Sequence, residues 1–342
     1  MATTSSSPQP SQQPLATAQA AVEEQRRPIS LGRESGSVLV LLIFVAVLIL
    51  TTNEFLTLTN LDNLVRQVAV FAILSVGELF VILTGGIDLS VGSVLGLSGG
   101  VTALILASGA SVPLAILAGL GVGLAVGLIN GVLVTRLKLP PFIATLGMLG
   151  VARGLVLLLT GAKTIAPLPD AFNIIANGFI FGLPSLFWIL ILVAVVAAFV
   201  LGRTVFGRYI YAVGSNAESS RLSGVPVNGV LLAVYAISGL LAGFAGILTT
   251  SRLGAGIPTA GTGYELQAIA GAVIGGASLS GAKGRAIGAV LGAVIMGLLA
   301  NGGNLLGIDP FYLQIAIGLL IILAVYFDHL QGRSINFLRR AA

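Results

Sequence analysis

From Val112 to Val134 the chain carries no charged residue and shows no strict alternation of apolar and polar positions. An amphipathic soluble helix would show a polar face, and a strand of a membrane barrel would alternate over about 10 residues. A run this long that is apolar all round is a helix surrounded by something other than water. Comparable runs lie at about 38–50, 68–84, 90–107, 142–160, 185–202, 230–250, 265–279, 286–301 and 311–327. Charged residues make up only 8% of the chain, against roughly 25% in a soluble domain, and mean hydropathy is +1.05. Only helices and closed barrels satisfy the backbone in lipid. The expected fold class is therefore an all-α polytopic membrane protein with about ten transmembrane helices.

Residues 1–36 are rich in Ser, Gln, Pro and Ala and then carry Arg26, Arg27 and Arg33, with no apolar stretch before the arginines. They read as a disordered cytoplasmic tail rather than a cleaved signal. The transmembrane domain is expected over 37–328, followed by a short basic tail over 329–342. Between the first two apolar runs, Phe55, Leu58, Leu61 and Leu64 recur at roughly helical spacing among polar residues; Asn53 to Gln67 thus suits a helix lying along the membrane surface, or a plain loop. Residues 161–184 form an outer loop, and Arg203 to Gly229 is the longest polar stretch within the membrane domain.

A ten-span count places Arg26, Arg27, Arg33, Arg136, Lys138, Arg203, Arg208, Arg221, Lys283, Arg285, Arg333, Arg339 and Arg340 on one side. Arg66, Lys163 and Arg252 fall on the other, and Arg153 within a span. The asymmetry predicts both termini in the cytoplasm.

Two glycine series, Gly119, Gly123, Gly127, Gly131 and Gly284, Gly288, Gly292, recur every four residues. Such grooves let helix backbones approach closely, within one subunit or between two. Glu78, Arg153 and Glu265 lie within or at the edge of spans, where ionisable groups are expensive; they could line a solute path or pair with one another across helices. Asp88, in Thr84 to Ser93, stands between two apolar runs beside Gly85 and Gly86. It is either a helix cap or a solute-binding group. The stretch Gly85-Gly-Ile-Asp-Leu-Ser90 recurs as Gly275-Gly-Ala-Ser-Leu-Ser280 with Ser278 in place of Asp88. Asp and Ser are both favoured N-caps, and paired glycines suit a left-handed helix end. Stopping one helix and starting another is thus the expected role of Gly85, Gly86, Asp88, Ser90, Gly275, Gly276, Ser278 and Ser280.

In the polar stretch, Asn216 is placed to cap a short helix running to Leu222, with Glu218 in its first turn and Gly214 and Gly224 on either side. A capped, exposed helix of this kind suits docking, with an ordinary amphipathic loop as the alternative. No Gly-Lys dipeptide occurs, so a phosphate-binding loop of the G-x-x-x-x-G-K-[ST] type is excluded. The chain has no cysteine and one histidine, His329, which argues against a thiolate metal site or a Ser/His/Asp set.

Gly85 to Gly92, Tyr211-Ala-Val-Gly-Ser-Asn216 with Arg221-Leu-Ser-Gly224, and Gly275 to Gly281 together resemble the permease subunits of ribose-type (simple sugar) ABC importers. These belong to the branched-chain amino acid/ribose permease superfamily. The resemblance runs from about residue 38 to 330. It implies a homodimeric permease of vitamin B12-importer-like architecture in the bacterial inner membrane. Its partners would be an extracytoplasmic sugar-binding protein and a separate cytoplasmic ATPase that holds ATP and Mg, with no cofactor in this chain and no nucleic acid. The loop matching 203–229, with Gly214, Asn216, Glu218, Arg221, Leu222 and Gly224, would dock on the ATPase. Ser215, and Ser219 with Ser220, replace the Gly and Ala-Ala common in the family, all small residues. The expected cargo is a monosaccharide such as a pentose, hexose or polyol, carried by alternating access. Nucleosides or a signalling furanone are the alternative within the class, and a proton-coupled secondary transporter using Glu78, Arg153 or Glu265 is the alternative outside it.

Overall fold

The computed structural model describes residues 34–309, 311–323 and 326. The basic C-terminal tail lies outside these residues, as does the N-terminal tail apart from its last three. In chain order the helices are α1 (Glu34–Thr51), α2 (Leu58–Leu83), α3 (Val91–Ala107), α4 (Val112–Thr135), α5 (Pro141–Thr160) and α6 (Asp170–Asn177). A two-stranded hairpin follows, β1 (Phe179–Ile180) and β2 (Leu183–Pro184). Then come α7 (Ser185–Arg203), α8 (Val205–Ser215), α9 (Ala217–Leu222), α10 (Val227–Leu253), α11 (Tyr264–Ile274) and α12 (Ala286–Leu305). A last apolar helix, α13, covers Phe311–Leu323. Among the described residues, α2, α4, α5, α7, α10 and α12 are long and apolar enough to cross a membrane, and α1, α3, α11 and α13 are shorter apolar helices.

The core is built around α2, buried almost without a break from Val68 to Leu83. It packs against α7, α10, α11 and α12. Helix α10 in turn lies against α3 and α4, and here the glycine series has its place. A Cβ at Gly123 would run into the backbone of Gly239 and Gly243, and one at Gly127 into Tyr235 and Ala236. Gly131 meets Leu232, while Gly119 meets Thr102 and Ile247. The second series, Gly288 and Gly292, abuts the backbone of Gly275 and Gly271. Both grooves are filled within the subunit, where close backbone packing replaces the hydrophobic drive that lipid does not supply. Helices α4, α5 and α7 leave most of their apolar surface outward, as lipid-facing helices do.

One expectation is corrected. Asn53 to Gln67 does not form a separate surface helix, because Leu58 to Gln67 are the first turns of α2 itself. Thr57 caps that helix by accepting from the Asn60 N–H. Asn60 is then buried by a reciprocal amide pair with Asn301 of α12, at 3.2 and 2.8 Å. Asn60, one of the polar residues that suggested a surface location, is satisfied by a distant helix instead.

Candidate functional site: a junction of three glycine-rich turns

Helix α2 ends at Thr84, and Gly85 takes the left-handed conformation (φ 81°) that stops it. Helix α11 ends at Gly275, with the left-handed role passed to Gly276 (φ 95°). The two related motifs thus stop their helices with different members of the glycine pair. Both then fold the fourth residue back on the sixth. Asp88 Oδ1 accepts from the Ser90 hydroxyl at 2.6 Å and from its N–H at 3.0 Å, and Ser278 Oγ lies 2.8 Å from Ser280 Oγ.

These two turns meet each other and the polar stretch. The Ala282 N–H donates to the Leu83 carbonyl at 2.9 Å. Gly214 lies in the last turn of α8, two residues before the Asn216 cap, and a Cβ there would overlap the Leu83 carbonyl and press on the Ala282 N–H. A Cβ at Gly281 (φ 89°) would meet Gly214 at 2.8 Å and the Gly85 N–H at 3.2 Å. Three glycines from three separate segments therefore share one point of backbone contact. The Tyr211 hydroxyl of α8 adds a hydrogen bond to the Gly284 carbonyl at 2.8 Å. Burial raises that hydroxyl above the ordinary tyrosine range and nearby Arg285 partly offsets this, so it remains a donor at neutral pH.

From this junction α9 projects outward. Asn216 caps it through its side-chain oxygen, which accepts from the Ser219 N–H at 2.9 Å. Glu218 and Arg221 pair at 2.7 Å on its exposed face, Leu222 is 82% exposed, and Gly224 (φ 83°) ends the element.

Asp88 itself is 1% exposed. Besides Ser90, its carboxylate accepts from the Ser238 hydroxyl of α10 at 2.9 Å and from the Asn130 amide of α4 at 3.5 Å. The Asn130 amide also donates to Ser90 Oγ at 2.9 Å. Glu78 Oε1 accepts from the Asp88 N–H at 3.0 Å. Asp88 therefore ties the start of α3 to α4 and α10. It is not the capping residue of α3, a position taken by Ser90, whose side chain makes no cap hydrogen bond. Asn130, Ser238 and Tyr235 escaped the sequence reading, although an isolated polar group in an apolar span is itself a signal. Glu78 Oε2, Asn130 Oδ1 and the Tyr235 hydroxyl have no hydrogen-bond partner among the described residues.

Arg153 donates to the carbonyls of Pro258 and Ala260 at 2.8 and 3.0 Å. It thereby pins the segment before α11 against Gly96 of α3, whose missing Cβ leaves room for the guanidinium. Among the described residues Glu218 pairs with Arg221, whereas neither Glu78 nor Glu265 pairs with Arg153 within 4 Å. Gly92 similarly accommodates the Glu265 carboxylate. No group of three or more His, Cys, Asp or Glu side chains suited to a metal ion occurs among the described residues.

A family model described as branched-chain amino acid transport system / permease component matches residues 60–325. The ribose import permease protein RbsC of Escherichia coli (strain K12) is 43% identical over 300 residues, covering 86% of this chain and 94% of its own length. The D-allose transport system permease protein AlsC of the same strain is 41% identical over 300 residues, with coverage of 87% and 92%. The L-arabinose ABC transporter permease protein AraH of Azospirillum brasilense is 37% identical over 294 residues, with coverage of 86% and 87%. No solved structure matches.

Proposed function

This chain belongs to the family of branched-chain amino acid transport system permease components, and we propose that it is the membrane-spanning subunit of an ATP-driven sugar importer. It is a multi-pass inner-membrane protein, and its relatives are named for ribose, allose and arabinose, so a monosaccharide is the cargo. ATP is bound and hydrolysed by a separate partner, and a binding protein delivers the sugar. Ten spans with both termini cytoplasmic, two copies per transporter and a vitamin B12-importer-like arrangement complete the reading. It is supported by six long and four shorter apolar helices at the expected places and by the one-sided distribution of Lys and Arg.

The observation that carries the mechanism is the three-glycine junction. A force from the ATPase applied to α9 passes through Gly214 to the end of α2 and to the turn between α11 and α12. A neutral sugar needs no counter-charge, so the fully buried Asp88 serves as a tie between helices rather than as a ligand. The unpartnered oxygens of Glu78, Asn130 and Tyr235 can take new partners when α10 shifts, which is what an alternating joint requires.

Reconstitution tests the proposal. Proteoliposomes holding this chain with its ATPase and binding protein should accumulate labelled sugar only with ATP. Uptake that persists without the ATPase and follows a proton gradient would replace the importer with a secondary transporter. The cargo itself is read by ligand identification on the binding protein.

A further inference from the structure

The hairpin between α6 and α7 pairs Phe179 with Pro184 and Ile180 with Leu183, so its two-residue turn is Phe181-Gly182. Both turn residues have positive φ, 51° and 77°, as in a type I′ turn. Such a turn is ordinarily filled by Asn-Gly or Asp-Gly, because a bulky side chain is strained at positive φ. Here the strained place holds a phenylalanine that is 91% exposed. Phe179, Ile180 and Leu183 are exposed as well. In water this would be a strained turn displaying an apolar cluster with nothing gained.

The surroundings point to a different medium. Phe181 packs edge-on against Trp188 of α7 at 6.1 Å, and the Trp188 indole N–H donates to the Ile180 carbonyl at 2.9 Å. Trp188 heads an outward stripe continued by Leu192, Val195 and Phe199, all exposed and at helical spacing. The apolar face of the hairpin is thus continuous with the lipid-facing face of a span. Helix α7 has 19 residues, about 28 Å at 1.5 Å per residue, close to the ~30 Å hydrocarbon thickness. The hairpin begins where α7 reaches the bilayer edge, the level at which aromatic rings and cationic side chains are favoured. Arg66 stands there too, its guanidinium 5.2 Å from the centre of the Phe179 ring and donating to the Asn177 carbonyl at 3.2 Å.

We infer that the β1–β2 hairpin is a membrane anchor, with Phe181 inserted in the interfacial layer of the bilayer beside the entry of α7. This needs only that α7 crosses a bilayer, and it holds whatever the cargo.

Trp188 is the single tryptophan of the chain, so the substitutions Trp188→Phe and Phe181→Trp move the reporter to the hairpin tip. The full-length protein is placed in nanodiscs of phosphatidylcholine brominated along the acyl chains. The expected result is loss of emission relative to unbrominated discs, a blue-shifted maximum and protection from aqueous iodide, with or without the binding protein. Emission indifferent to bromination and open to iodide overturns the anchor. So does shielding that arises only on adding the binding protein, or only in discs holding two copies, since either assigns the tip to a protein surface. Should the double variant fail to elute as assembled protein, Leu183→Trp in the Trp188→Phe background reads the opposite strand by the same criteria.

Discussion

The Ala282 N–H donates to the Leu83 carbonyl at 2.9 Å, joining two turns 199 positions apart, and Gly214 of a third segment lies against both. A methyl group at Gly214 has no room, since the atoms in its way are backbone rather than flexible side chains. Gly214→Ala should cost about 1–3 kcal/mol by overpacking, lower the melting temperature of the purified protein and abolish ATP-dependent uptake. Ser215→Gly, at the neighbouring exposed position, should leave uptake and melting nearly unchanged. A normally stable, fully active Gly214→Ala protein would remove the junction from the mechanism.

Charge reversal on α9 separates docking from folding. The Glu218–Arg221 pair is exposed, and such pairs contribute about 0–1 kcal/mol. Glu218→Lys or Arg221→Glu should therefore melt like the parent protein but lose co-purification with the ATPase and uncouple ATP hydrolysis from uptake. Parental uptake together with parental co-purification would show that this face does not dock.

At Asp88 the hydrogen-bond geometry ranks the substitutions. Asn can accept from Ser90 and offer its amide to the Ser238 hydroxyl, so Asp88→Asn should assemble and transport. Asp88→Ser should also transport, with a lower melting temperature, because its shorter side chain cannot hold both Ser90 and Ser238. Asp88→Leu leaves those hydroxyls without their acceptor, about 1–3 kcal/mol for each buried group left unpaired, and should fail to accumulate. Loss of transport in a normally assembled Asp88→Ser complex would restore Asp88 as a solute ligand.

The amide pair between Asn60 and Asn301 offers a test of helix registry. Removing Asn301 leaves the Asn60 side-chain oxygen unpaired in an apolar setting, although the Asn60 amide keeps its bond to the Phe55 carbonyl. The losses from Asn60→Ala and Asn301→Ala should therefore be less than additive in the double variant, with a coupling of about 0.6–2 kcal/mol as found between membrane helices. Additive losses in the double-mutant cycle would mean that the pair adds nothing beyond its separate contacts.

Much of this architecture is legible in the chain itself, because apolar runs and glycine spacing are local signals. Gly123 and Gly127 announced a groove, and α10 fills it. Asn216 announced a cap, and the cap is made. What stayed hidden depends on partners distant in sequence. Asn60 read as a surface residue because nothing near it reveals Asn301. Gly214 does flank the short helix, but nothing near it in sequence reveals that its reason for being glycine is the backbone of Leu83 and Ala282. Asp88 read as a cap because Ser238 and Asn130, which hold its carboxylate alongside Ser90, lie on separate helices.

The meeting of Gly85, Gly214 and Gly281 has no side chain in it. Under the proposed docking of α9, a push would reach the end of α2 and the turn between α11 and α12 without crossing a single rotatable side-chain bond, so little of it would be absorbed along the way. Such a bearing is indifferent to what the helices beyond it carry. Residues elsewhere on those helices could be exchanged while this backbone contact stays the same.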